Sequence, residues 1–137
     1  MLKIEFYETG SIDDNLLDFA VIVSKYKGKL VLCKAKNRDT WELPGGRREA
    51  GENIADTAKR ELAEETGAIE FDINQACVYA VVREERTTYG LLFCADIKKL
   101  GALPESEIER IDFFDTLPDK LTYPLIQPAL LKKVYKQ

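Results

Sequence analysis

Residues 53–66, NIADTAKRELAEET, leave the chain least freedom of fold. Asn53 can accept a hydrogen bond from a free amide of a first helical turn, and Asp56 follows three residues later. Gly67 supplies the left-handed residue at which helices commonly stop. At 100° per residue Ile54, Ala55, Ala58 and Leu62 share one arc, so this helix needs a layer to bury it. What flanks it reads as strand. LKIEFYE is one strand, and DFAVIVSKYKGKLVLCKAK is a hairpin about a Lys27–Gly28 turn. SIDDN is turn chemistry, and NRDTWELPGGRREAG is a long loop with a short strand at Trp41–Leu43. ACVYAVVRE, TYGLLFCADI and ERIDFFD follow as strands, LPDKLTYP as a loop, and LIQPALLKKVYKQ as a closing helix with Pro128 near its first turn. Hairpin, helix, meander, helix is an α+β order, with helices packed on a mixed β-sheet. It lacks the βαβ alternation of a dinucleotide-binding fold. No repeat or linker divides the 137 residues, so one domain spanning 1–137 is expected.

The chemistry is narrowed by what is missing. The chain has no histidine, which removes Ser-His-Asp and Cys-His catalysis and every histidine-ligated zinc site. Acid–base work falls to Asp, Glu, Lys, Tyr or Cys. Cys33, Cys77 and Cys94 form no Cys-x-x-Cys pair and read as small hydrophobes in a reducing compartment. A net charge of −4 argues against a protein that coats duplex nucleic acid. No apolar run approaches the ~20 residues of a membrane span. MLKIEFYETG has no apolar core of a signal peptide, so a cytoplasmic protein with no membrane partner is expected.

The helix also crowds Glu61, Glu64 and Glu65 into an arc of about 100° beside its apolar face, aimed at one small volume. The same residues fit a solvated acidic face. That reading costs roughly 0.2–0.5 kcal/mol for each like-charge pair at i,i+3 or i,i+4. Glu64 and Glu65 also face the negative end of the helix dipole, at roughly 0.3–1 kcal/mol each. A cation would remove both penalties. Carboxylate oxygens without thiolate or imidazole select Mg²⁺, Mn²⁺ or Ca²⁺, and the spacing of a calcium EF-hand is absent.

Gly46, five residues, Glu52, seven residues, then Arg60-Glu61-Leu62-Ala63-Glu64-Glu65-Thr66-Gly67-Ala68 resembles the signature of the Nudix hydrolases. All seven fixed positions match, an agreement expected by chance on the order of 10⁻⁸ per start position. Ala68 is smaller than the usual closing aliphatic, which weakens a packing position only. The preceding WELPG is also typical of the family.

The resemblance implies a mixed β-sheet sandwiched between helices and hydrolysis of a nucleoside diphosphate linked to another group. It implies Mg²⁺ or Mn²⁺ held by Glu61, Glu64, Glu65 and the Gly45 carbonyl. It implies that Gly46, Glu52, Arg60 and Gly67 support the motif, Arg60 by pairing with Glu52. Glu61 is preferred as ligand and candidate base. A further carboxylate from a late loop is expected, and Glu107 has the spacing to Phe113 that resembles it. Glu105 and Glu109 are its neighbours, and Glu84 or Glu85 is the second choice. A solvated loop acid explains Glu107 equally well.

For the substrate, Lys34, Lys36, Arg38, Arg47 and Arg48 are candidates to meet phosphates, and Leu43, Phe6, Tyr79 and Tyr89 to meet a base. Each also reads as an ordinary surface charge or core residue. The short chain suits a MutT-like nucleoside triphosphate pyrophosphohydrolase, with 8-oxo-dGTP the obvious candidate. ADP-ribose, a nucleotide sugar, a dinucleoside polyphosphate or an RNA 5′ end are the alternatives. A regulatory domain that only binds nucleotide fits less well, because such domains usually lose these carboxylates. Monomer and homodimer are not distinguished.

Overall fold

A computed structural model describes residues 1–135. Its elements are β1 (Lys3–Tyr7), β2 (Leu17–Tyr26), β3 (Lys29–Ala35), β4 (Trp41–Glu42), β5 (Gly45–Arg47), α1 (Ile54–Thr66), β6 (Ala68–Val82), β7 (Thr87–Leu100), β8 (Ile108–Phe114) and α2 (Gln127–Val134). Lys136 and Gln137, the end of the expected second helix, lie outside the described residues.

The strands run β1-β6-β7-β2-β3-β4, with β5 also on β2 and β8 also on β3. The β2–β7 pair is parallel and the others are antiparallel, so the sheet is mixed. Side chains alternate between its faces, as a pleated strand requires. Ile22, Val31, Val78, Leu91 and Phe93 point to the face that receives Ile54, Ala58 and Leu62 of α1. Val23, Leu30, Leu32, Tyr79 and Leu92 point to the opposite face, covered by Leu130 of α2. Two cores back to back on one sheet make the helix–sheet–helix sandwich.

α1 is closed at both ends by local contacts. The Asn53 side chain accepts from Ala55 N–H at 2.8 Å. Gly67, at φ 81°, donates its N–H to the Ala63 carbonyl at 3.0 Å. Its buried face holds Ile54, Ala58 and Leu62 as expected, and Thr57 and Thr66 as well, whereas Ala55 is only half-buried. Thr66 can be buried because its hydroxyl donates to the Leu62 carbonyl at 2.6 Å.

Two differences from the sequence reading matter. β6 and β7 are longer than their apolar runs, because their outer halves pair with each other (Ile73 opposite Ala95) while their polar side chains face solvent. The second difference positions the site. β2 pairs with β3 only at Lys25 and Tyr26, then with β5 at Phe19–Val21. β3 meanwhile turns to β8 and β4. The sheet therefore forks, with β5 on one prong and β3 on the other. β5 can press onto β2 because Gly45 has no side chain: a Cβ there would lie 3.0 Å from the Val21 Cα.

Candidate active site

The last two turns of α1 face the fork. Glu65 Oε1 accepts the Gly45 N–H of β5 at 2.9 Å and lies 4.0 Å from the Cys33 Sγ of β3, so this one carboxylate touches both prongs. One turn earlier, Glu61 rests against Gly46, where a Cβ would meet its Cδ at 2.5 Å. The Gly45 carbonyl faces the same side. β5 is tied to β2 through the Pro44 carbonyl, which accepts from Ile22 N–H, and through Arg48 N–H, which donates to the Asp18 carbonyl. In an antiparallel ladder the alternate residues then point their amides and carbonyls away from that partner. Gly45 N–H goes to Glu65, and the Arg47 carbonyl accepts from the Arg60 guanidinium at 3.2 Å.

Glu64 takes a different direction. It is half exposed, and its Oε1 lies 3.1 Å from Arg60 Nη1 as an i,i+4 pair. The structure thus brings Glu61 and Glu65 against β5 and leaves Glu64 on the helix surface, linked to them through Arg60, whose Nη1 also lies 3.3 Å from Glu61 Oε2. Among the described residues no three acidic side chains converge as a ready-made metal cluster.

Burial dominates the charge balance. Desolvation pushes the Glu65 carboxyl up to about 8, opposed by the Gly45 amide and reinforced by the charges of Glu61, Glu42 and Glu64. Glu61 is raised chiefly by desolvation, with Arg60 opposing and Glu64 adding to it. Glu42 is raised by desolvation against the pull of Arg38. A group of half-buried, mutually repelling carboxylates beside a backbone carbonyl is a set of hard oxygen donors, which fits Mg²⁺ or Mn²⁺.

Arg60 organises the loop that precedes the helix. Its Nε and Nη2 reach Glu52 Oε2 and Oε1 at 2.7 and 3.0 Å, a two-point pair. Glu52 also accepts from Thr57 Oγ1 at 2.7 Å and Glu49 N–H at 3.0 Å. Arg60 first, then the Glu49 amide and the Thr57 hydroxyl, hold the Glu52 carboxyl down to about 2.

Beyond the carboxylates the fork opens into a cleft of about 470 Å³. Arg38, Leu43, Arg47, Tyr79 and Glu107 line it, as do Arg83, Glu42, Tyr123 and Gln127, which the sequence reading had not singled out. Arg38, Arg47 and Arg83 form no ion pair among the described residues, so three guanidinium groups are available to an anion. Lys34 and Lys36 are committed elsewhere, to Glu109 at 2.6 Å and Glu105 at 3.1 Å. Arg48 is bound to Asp14 at 2.8 Å, Phe6 packs in the α2-side core, and Tyr89 packs near Tyr7. Glu107 sits at the rim, its carbonyl accepting from Lys36 N–H at 2.8 Å. Glu84 and Glu85 are exposed at the β6–β7 turn, Glu84 lying 3.8 Å from the N-terminal amine. The one local signal for Gln127 was a lone carboxamide in the apolar run that begins α2.

The family model described as NUDIX domain matches residues 14–117. A putative 8-oxo-dGTP diphosphatase, YtkD, of Bacillus subtilis is 30% identical over 95 residues, covering 69% of this chain and 55% of that protein. The chain thus spans about half the length of that relative. A shorter match, 51% identical over 45 residues, links it to nucleoside diphosphate-linked moiety X motif 6 of Mus musculus, covering 33% of this chain and 14% of that one. Among solved structures, a mutant of the Bacillus subtilis pyrophosphohydrolase BsRppH superposes with a TM-score of 0.79 at 24% identity, covering 97% of this chain and 89% of that one. A UDP-X diphosphatase superposes at 0.70 with 21% identity, covering 92% and 66%.

Proposed function

The chain belongs to the Nudix family, and on that premise we propose that it hydrolyses the pyrophosphate linkage of a nucleoside triphosphate, releasing a nucleoside monophosphate. One observation carries the proposal: Glu61 and Glu65 are packed against a glycine strand at the end of a cleft with three unpaired arginines. The arginines bind and orient the phosphates, each as a planar two-point donor. Glu61, Glu65 and the Gly45 carbonyl, with Glu64 turning in from the surface, would hold the divalent ion, Mg²⁺ or Mn²⁺. Bound there, the ion would supply charge neutralisation of the pyrophosphate and a lowered pKa of the attacking water. Glu61, half-buried beside Gly46, is placed to take that water's proton, a role worth about 10²–10⁴-fold. Arg60 and Glu52 fix the loop and the helix relative to each other, and Gly67 ends the helix so that Glu65 lies in its last turn. The relatives named as 8-oxo-dGTP diphosphatases make guanine nucleotides the first class to try. Residues 1–137 are read as a single domain. Among the described residues no helix is long and apolar enough to cross a membrane, and we place the chain in the cytoplasm.

The test is a panel of nucleoside triphosphates and nucleoside diphosphate derivatives with Mg²⁺ or Mn²⁺, products identified by mass. Monophosphate plus pyrophosphate from a triphosphate, abolished by EDTA, is the expected result. Undiminished turnover in excess EDTA, or cleavage confined to another class of compound, overturns the reading.

A further inference from the structure

β8 is the last strand on its side of the sheet. It pairs with β3, and no other described strand pairs with it. Glu109 is bulged where the register shifts at Lys34/Ala35, so the regular outer edge runs from Arg110 to Phe114, with no Pro or Gly to interrupt it. Two observations say which backbone groups that edge offers. The Phe113 N–H donates to the carboxylate of its own neighbour, Asp112 Oδ1 at 2.8 Å, and so points away from β3. Alternate residues of an antiparallel ladder point the same way, so Ile111 also turns its N–H and carbonyl outward. The pairing of β3 agrees. Lys29 is turned to Tyr26 across the Lys27–Gly28 turn, which leaves Leu30, Leu32 and Lys34 to meet Phe114, Asp112 and Arg110. The edge is also apolar on its α1 face. Phe113 is 38% exposed beside Tyr26, with ring centroids 5.7 Å apart, and Ile111 is half-buried next to it.

We propose that β8 is a dimerisation strand, pairing antiparallel with β8 of a second copy of this chain about a two-fold axis at Ile111. Charge selects both the occupant and the register. With Ile111 opposite its own copy, Arg110 stands opposite Asp112 of the second copy, and Asp112 opposite Arg110 of the second copy. The strand is its own complement, and each dimer gains two such pairs. Because Ile111 points its backbone groups outward, the central pair exchanges both N–H···O bonds. The Arg110–Asp112 pairs then fall at the non-hydrogen-bonded positions, where facing side chains are closest. Within one chain Arg110 Nη1 and Asp112 Oδ2 lie 3.6 Å apart, and both side chains are at least half exposed, so re-pairing across the axis needs no unburying. Moving the axis to Asp112 would set carboxylate against carboxylate, and moving it to Arg110 would set guanidinium against guanidinium. A two-fold axis perpendicular to the sheet keeps both α1 faces on one side. Phe113 then lies diagonally across from Ile111 of the second copy and loses its exposure to water. The proposal is independent of the reaction proposed above.

The experiment is sedimentation velocity of the full chain from micromolar to millimolar concentration. A monomer–dimer equilibrium is the expected result. Arg110→Asp and Asp112→Arg each turn two attractions across the axis into two repulsions, which should weaken association about 10-fold or more. Both changes are on exposed side chains, so the fold should stand. An equimolar mixture of the two variants restores both attractions, and it should dimerise about as tightly as the natural chain. Neither variant regains the contact within its own chain on mixing, so recovery reports pairing between chains. Residue-resolved hydrogen exchange should show the Ile111 and Phe113 amides slowing as concentration rises. A chain that stays monomeric throughout, a dimer indifferent to either charge reversal, or a mixture that stays monomeric overturns the assignment. If a variant does not fold, exchange on the natural chain decides: rates at Ile111 and Phe113 that do not change with concentration overturn it.

Discussion

Gly46→Ala tests whether Glu61 acts from where it lies. A Cβ at residue 46 would sit 2.5 Å from the Glu61 Cδ. Carbon–carbon contacts are optimal near 3.5–4.0 Å, so the carboxylate must retreat by about 1 Å. A displacement of about 1 Å in a reacting constellation can cost roughly 10²-fold. The fold should tolerate the change. Gly46 is not among the glycines at positive φ, so alanine fits the backbone, and losing a glycine from the unfolded chain adds about 0.4–1 kcal/mol. Forcing Glu61 off its rotamer costs about 0.5–1.5 kcal/mol, which nearly cancels that gain. The expected outcome is kcat/KM on dGTP with Mg²⁺ down about 10²-fold, with a urea midpoint close to that of the natural protein. The double variant Gly46→Ala, Glu61→Gln should be no worse than Glu61→Gln alone, because both changes act on one carboxylate. Near-normal turnover by Gly46→Ala, or losses that simply add in the double variant, would refute the placement of Glu61.

Two further outcomes are expected. Glu107→Gln should lower kcat about tenfold while Glu105→Gln and Glu109→Gln do almost nothing, because those two carboxylates are occupied by Lys36 and Lys34 and only Glu107 faces the cleft; a silent Glu107→Gln beside an inactive Glu84→Gln or Glu85→Gln would move the fourth carboxylate to the β6–β7 turn. The folded-state pKa of Glu52 is depressed to about 2, so its pairing with Arg60 should stabilise the fold fully above the ordinary carboxylate pKa near 4.3 and be lost as pH falls through about 2. Thermal unfolding of Glu52→Gln should therefore lie below that of the natural protein at neutral pH and converge with it in acid; a gap that stays constant with pH would show that Glu52 acts through packing, not charge.

How much could be read from the sequence follows from how far apart the partners are. α1 was legible because its signals are local: Asn53 caps it, Gly67 stops it, and Glu61 and Glu65 fall one turn apart. β5 was not, because Gly45 and Gly46 have poor strand propensity and the strand exists only through pairing with Phe19–Val21. The first half of β6, before Ala76, and the last residues of β7, after Ile97, were missed for a related reason: a polar face shows no strand pattern until its partner is known. Glu64 was grouped with Glu61 and Glu65 by helical geometry and by the motif. That geometry contains no term for the Arg60 guanidinium that draws it to the surface. Gln127 was invisible as a cleft residue because its carboxamide is held by the Leu43 N–H, 84 positions earlier.

The crowding of carboxylates at the C-terminal end of α1, where the helix dipole disfavours them, also follows from the fork. A continuous β2–β3 ladder would have consumed the backbone groups at this point of the sheet in strand pairing. Because β3 leaves for β8 and β4, the Gly45 N–H and carbonyl have no strand opposite them. Only a side chain from another element can meet that amide, and the last turn of α1 is the element that reaches it. Glu65 does so at 2.9 Å, and the bond offsets part of its desolvation. The amide satisfies one carboxylate oxygen and leaves the rest of the acidic group, and the Gly45 carbonyl beside it, without a positive partner from β5. The same glycine that lets β5 press onto β2 thus also supplies the backbone edge at which a divalent ion would relieve both the repulsion among the carboxylates and the adverse dipole. Fold and proposed chemistry depend on one local fact: no side chain can be added at residue 45. Gly45→Ala should therefore fail differently from Gly46→Ala, losing stability first, because its Cβ meets the β2 backbone and not a movable carboxylate.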